Sequence, residues 1–317
     1  MEEKLHPELR KMFSVMPKMN FDRENLADVR IQSNEMLVSI PNDAVLTTER
    51  FIPGPEGEPD VRVKIYEPKV KDEILPGVFY IHGGGYIVGS PELEEARCQE
   101  LVTDVNCVIV SVDYRLAPEH PFPAPVEDCY AALNWFSENA EGQGVDPSRI
   151  AVVGASAGGG LTAAVSLLAR DRKGPSIAFQ MPLYPMIDDR HITPSSNEIT
   201  DDRVWNTKFN RQGWEMYLGN NKGEVSPYAA PARSTDLSGL PPTYTCVGDL
   251  DPFRDETIDY VARLRQAGVP VEFHLYPGCF HGFEFAVPTA EISQRAKNEY
   301  NSALKHALHQ PQFSETV

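Results

Sequence analysis

From about residue 45 onward the chain alternates short, almost wholly apolar runs with stretches of helical period. This alternation restricts the fold more than any other feature. Residues 77–82 (GVFYIH), 108–114 (VIVSVDY) and 149–156 (RIAVVGAS) are too short for buried helices and carry no polar face. They read as strands buried on both faces, as a parallel sheet requires. Residues 61–66 differ: Val61, Val63 and Ile65 alternate with Arg62, Lys64 and Tyr66, as on a half-buried strand. Between the strands, Val126, Tyr130, Leu133, Trp135 and Phe136 give residues 126–140 a helical period. The run AGGGLTAAVSLLAR after Ser156 reads as a helix that stops at Gly174–Pro175. Further strands are expected at 177–187, 243–248 and 271–276, and further helices at 254–267 and 290–309. The fold class that follows is α/β, with a mostly parallel central sheet flanked by helices.

Two segments fall outside this rhythm. In residues 1–45, Leu9, Met12, Phe13 and Met16 share one helical face, and Phe21, Leu26 and Val29 mark a second apolar stretch. Residues 188–220 are polar and mixed, yet carry Trp205, Phe209, Trp214, Tyr217 and Leu218. No repeat or low-complexity tract is present. With 317 residues, 41% of them apolar, the chain can bury a large core. The formal net charge of −17, without a basic run, argues against nucleic acid as a partner. No apolar run approaches the length of a membrane span, and the first residues lack a signal-peptide pattern. Five scattered cysteines with no CxxC pair point to neither disulfides nor zinc, so a cytoplasmic location is expected.

The chemistry concentrates where strands end. Gly154-Ala155-Ser156-Ala157-Gly158 fits G-x-S-x-G and joins an apolar strand to a helix, a sharp turn that lifts the serine hydroxyl above the sheet. A phosphate-binding glycine turn is the plainer alternative, although the lysine of a P-loop is missing. His82-Gly83-Gly84-Gly85 favours catalysis. It also follows a buried strand, and glycines let backbone N–H groups come close to a tetrahedral oxyanion. In this strand–turn–helix arrangement the partners follow the serine in the order acid, then histidine. His82 comes too early and is read as bracing its loop. His274 sits mid-strand, and His306 and His309 lie on the last helix. His281, in a loop at a strand end, is the expected base. Asp249, Asp251 and Asp255 follow the strand at 243–248. Asp255 suits a first helical turn, and Asp251 before Pro252 could serve as a helix cap. Spacing leaves Asp249 and Asp251 both open as the acid.

Taken together, His82-Gly-Gly-Gly, Gly154-Ala-Ser-Ala-Gly-Gly, Asp251-Pro-Phe-Arg-Asp and His281-Gly-Phe resemble the hormone-sensitive-lipase family of bacterial esterases (bacterial family IV). The block Tyr114–Ala124 resembles one of that family's blocks as well, and the likeness spans about residues 45–310. The resemblance implies an α/β-hydrolase fold and a serine carboxylesterase with Ser156, Asp251 and His281 as its catalytic triad. It implies Gly84, Gly85 and Ala157 as oxyanion-hole donors. It also implies a helical cap made of residues 1–45 and an insertion at about 188–220, with residues 46–317 as the core. A small-molecule ester is the implied partner, a homodimer is compatible with the family, and no metal or organic cofactor is implied. Arg115 and Glu119 are expected to form an internal ion pair. Ala155 stands where the family usually has Asp or Thr, a position that sorts its subfamilies. A preference for short-to-medium acyl chains, limited by the cap, is expected. Two other readings remain alongside: an amidase or deacetylase on the same triad, and a non-catalytic small-molecule receptor of the same fold.

Overall fold

A computed structural model describes residues 1–20, 22–35, 42–220 and 223–310 of the chain; Phe21 lies outside them. Eight strands form one sheet: β1 (Val45–Ile52), β2 (Val61–Pro68), β3 (Leu75–Ile81), β4 (Val108–Asp113), β5 (Val145–Ala155), β6 (Phe179–Leu183), β7 (Thr243–Leu250) and β8 (Val271–Phe280), in the spatial order β1-β2-β4-β3-β5-β6-β7-β8. β2 runs antiparallel to β1 and β4, and every pairing from β4 to β8 is parallel.

The alternation of side chains along a strand divides the core into two layers. On β3, Phe79 and Ile81 face one side of the sheet, with Val110 and Val112 of β4 and Val152 of β5. Two helices cover that side, α4 (Ala124–Glu138) and α5 (Ala157–Asp171). Val78 and Tyr80 face the other side, with Ile109, Ala151 and Val153. There they meet α3 (Glu95–Leu101) and α10 (Glu291–His309), whose Ile292, Ala296, Tyr300, Leu304 and Leu308 recur every fourth residue. α5 is buried along nearly its whole length, which explains why it has no polar face. Its glycine start lets it press on the sheet: a side chain at Gly158 would collide with the Ile81 carbonyl oxygen.

The remaining helices are α1 (Pro7–Val15), α2 (Leu26–Glu35), α6 (Ser195–Glu198), α7 (Thr207–Leu218), α8 (Arg254–Gln266) and α9 (Phe283–Ala286). The two segments outside the strand–helix rhythm lie together. The Met19 N–H donates to the Asp202 carbonyl at 2.7 Å, and the Arg203 guanidinium stacks over the Phe13 ring at 4.1 Å. Among the described residues, no helix is long and apolar enough to cross a membrane. All five cysteines are buried and unpaired.

The expected Arg115–Glu119 pair does not form. Arg115 instead forks onto the fully buried Asp128, with Nε–Oδ2 at 2.9 Å and Nη2–Oδ1 at 2.8 Å, and also pairs with Glu58. Glu119 is exposed and clasps Arg30 of α2 through both oxygens at 2.9 Å. These residues sit in a turn rather than a helix, so a spacing of four does not place them on one face.

Candidate active site

Five neighbouring parallel strands deliver their carboxyl ends to one place, the crevice where ligands bind in sheets of this type. β3 leads into His82–Gly85, β5 into Ser156, β6 into Tyr184, β7 into Asp251 and β8 into His281. Ser156 occupies the tight corner between β5 and α5 with φ +58° and ψ −119°. Its N–H donates to the Leu183 carbonyl at 3.0 Å, and its carbonyl accepts from the Gly160 and Met186 amides. The corner leaves its hydroxyl facing His281.

His281 Nε2 lies 2.9 Å from Ser156 Oγ, and His281 Nδ1 lies 2.7 Å from Asp251 Oδ2. Asp251 has no solvent exposure. Its other oxygen accepts from the Phe253 N–H at 2.9 Å, so the carboxylate also ties the turn into α8. The neighbouring acids point elsewhere. Asp249 faces Arg254 across 3.9 Å, and Asp255 binds Arg254 and the Ser195 N–H. His274 binds Glu272 on β8, and His306 is exposed on α10.

The glycine loop crosses directly beside the serine. A side chain on Gly83 would lie against the Ala155 carbonyl and the Ser156 Cβ. Gly84 has φ +114°, and a Cβ there would strike the Val88 carbonyl oxygen, so only glycine fits. Ala157 is the first residue of α5, where an N–H has no acceptor within its own helix. His82 makes no hydrogen bond to the serine. Its Nδ1 is 2.8 Å from the Gly83 carbonyl, and its ring stacks on Tyr114 with centroids 4.2 Å apart.

Sequence reasoning missed part of this surround. Tyr184 and Phe253 each set a ring edge-on to the His281 imidazole at 5.0 Å. The Tyr184 hydroxyl donates to Glu284 Oε1 at 2.6 Å. Glu284 is buried, which raises its carboxyl above the usual range, and its Oε2 has no partner among the described residues. No motif marks either residue, since Tyr184 and Glu284 are a hundred positions apart. Above the serine lies a cavity of about 440 Å³, walled largely by apolar groups such as Met16, Met19, Val29, Val88, Trp205 and Phe285.

Sheet order, strand-to-helix serine corner and glycine loop together define the α/β-hydrolase class. The comparisons with known proteins agree. The model of a family described as having the alpha/beta hydrolase fold matches residues 78–285. Carboxylesterase NlhH of Mycobacterium tuberculosis is 38% identical over 267 residues, covering 83% of this chain and 84% of that protein. Esterase LipI of the same organism is 34% identical over 308 residues, covering 96% of both. The solved structure titled Bacterial Heroin Esterase superposes with a TM-score of 0.93 at 41% identity, covering 97% of this chain and 99% of that one. The chain belongs to the α/β-hydrolase family, in its hormone-sensitive-lipase branch of serine carboxylic-ester hydrolases.

Proposed function

We propose that the chain hydrolyses carboxylic esters through Ser156, His281 and Asp251, by way of a covalent acyl-enzyme. The observation that carries this reading is the hydrogen-bonded series Asp251–His281–Ser156, at 2.7 and 2.9 Å, opening onto an apolar cavity. Asp251 accepts from Nδ1–H, which leaves Nε2 free to take the serine proton. Ser156 Oγ then attacks the ester carbonyl. The N–H groups of Gly84, Gly85 and Ala157 receive the charge that develops on the carbonyl oxygen. His281 returns the proton to the departing alcohol, then draws a proton from water, which attacks the acyl-enzyme and releases the acid. The reading needs no cofactor. An amide would follow the same course with a poorer leaving group.

In this proposal residues 1–45 and 188–220 form a cap over the core. Met16, Met19, Val29 and Trp205, drawn from both segments, line the cavity. A cavity of about 440 Å³ has finite depth, which favours short-to-medium acyl chains.

The test is turnover of p-nitrophenyl butyrate by Ser156→Ala and by three separate Asp→Asn variants. Ser156→Ala is expected to lose on the order of 10⁴–10⁶ in kcat with an unchanged circular dichroism spectrum. Asp251→Asn should be far slower than Asp249→Asn or Asp255→Asn, because an amide does not hold the imidazole in the required tautomer. A folded Ser156→Ala protein keeping about a tenth of the activity would overturn the reading.

A further inference from the structure

One wall of the cavity is chemically out of character. Glu94, the residue just before α3, lines this largely apolar space and is half-buried. The Tyr80 hydroxyl donates to its Oε2 at 3.1 Å, while Oε1 accepts nothing from any described residue. No ion pair is formed with it by a described cation. The nearby guanidinium of Arg97 is engaged otherwise: it binds Glu100 and Asn301 and stacks over Tyr300 with its carbon 4.7 Å from the ring centre. Burial raises the Glu94 carboxyl above the usual range, against the opposing pull of the Tyr80 hydrogen bond and the Arg97 charge.

A wall meant only to repel water would carry leucine or methionine here. A half-buried acid without a paired cation on a largely apolar wall is poorly solvated, and a bound cation relieves that cost. The other polar side chains on the cavity wall outside the serine–histidine pair include Ser33, Ser90 and the ion-paired Arg203, none of which supplies a free positive charge. The chain's net charge of −17 also draws cations toward the molecule.

We propose that Glu94 sets the specificity of this pocket toward esters that carry a protonated amine, accepting a charge-assisted hydrogen bond from its N–H. The proposal rests on the ester-hydrolase reading above and adds the substrate class.

The test uses two matched pairs at neutral pH with the full chain. In the alcohol half, 2-(dimethylamino)ethyl butyrate is compared with 3-methylbutyl butyrate. In the acyl half, ethyl 4-(dimethylamino)butanoate is compared with ethyl 5-methylhexanoate. Within each pair a nitrogen replaces a carbon and little else changes. The readout is the amine-to-carbon ratio of kcat/KM within one protein, so general damage to a variant cancels. In Glu94→Gln that ratio should fall about 10- to 100-fold for at least one pair, the range a charge-assisted hydrogen bond supplies. Glu94→Asp should fall between wild type and Glu94→Gln. Fluorophosphonate labelling of Ser156 shows that each variant keeps a working site. Equal ratios in wild type and Glu94→Gln for both pairs overturn the proposal. 2-Hydroxyethyl butyrate is assayed beside them as a neutral donor, and a loss in Glu94→Gln that is as large for it as for the amines also overturns the proposal, since it would mark a neutral hydrogen bond. If wild type hydrolyses none of the esters, it is the ester-hydrolase reading that fails.

Discussion

His82 shows how a residue one step from the chemistry can govern stability. It is buried, and its Nε2 finds no hydrogen-bond partner among the described residues. Burial holds its pKa down at about 4, against 6.5 for a free imidazole. The unfolded chain therefore binds a proton at this residue between pH 6.5 and 4, and the folded chain does not. Stability from this residue is full above 6.5 and is lost as pH falls through about 4. The whole difference corresponds to about 3 kcal/mol. His82→Asn should accordingly lose about 2–3 kcal/mol less than wild type between pH 7 and 4.5, measured by urea unfolding at both values. Equal losses would show that His82 is not the residue that titrates. The sequence placed His82, Ser156 and His281 correctly at strand ends because glycine turns after apolar runs announce themselves. It left Asp249 and Asp251 level, since spacing does not say which way a loop side chain points. In the structure it is Asp251 that lies 2.7 Å from His281, while Asp249 faces Arg254.

At the scale of elements, apolar periodicity was the readable signal, and its absence marks what stayed hidden. Leu9 and Phe13 of α1 are buried as their spacing predicts, while Met12 on the same stripe is exposed and Met16 reaches the cavity. β1 gave no signal because only Val45 and Ile52 at its two ends are buried, with Thr47, Thr48, Glu49 and Arg50 between them on a sheet edge. α3 was hidden for the opposite reason: it buries Arg97 and Gln99, residue types that read as surface. The strand expected over 177–187 is shorter, Phe179–Leu183, since Tyr184 takes φ +31° and turns the chain over the site. If the N-terminal segment bounds the acyl site, enlarging Met16 or Met19 should shorten the preferred ester. Met16→Trp and Met19→Trp are each expected to move the best p-nitrophenyl ester toward acetate. Each methylene excluded costs up to about 0.8 kcal/mol, or roughly fourfold in kcat/KM. An unchanged chain-length profile in both folded variants would remove these methionines from the acyl wall.

At the scale of the whole molecule, the sheet serves as a rigid block with packed layers on both faces, and the groups of the candidate site stand on its rim. Such a block can hold one residue in a conformation that the residue would not choose. Ser156, at φ +58° and ψ −119°, is that residue. An L-amino acid there carries backbone strain on the order of 1–2 kcal/mol, and only glycine is free of it. Comparing Ser156→Ala with Ser156→Gly separates the backbone from the hydroxyl, because both lack the side-chain oxygen. The glycine variant should be the more stable by about 1 kcal/mol in chemical unfolding, net of the freedom glycine gains when unfolded. Equal stability would mean that the corner is relaxed. Under selection for endurance alone, position 156 would drift to glycine, and the sturdier molecule would be an inert one. On the role proposed for it, the serine marks the place where durability has been given up in favour of turnover.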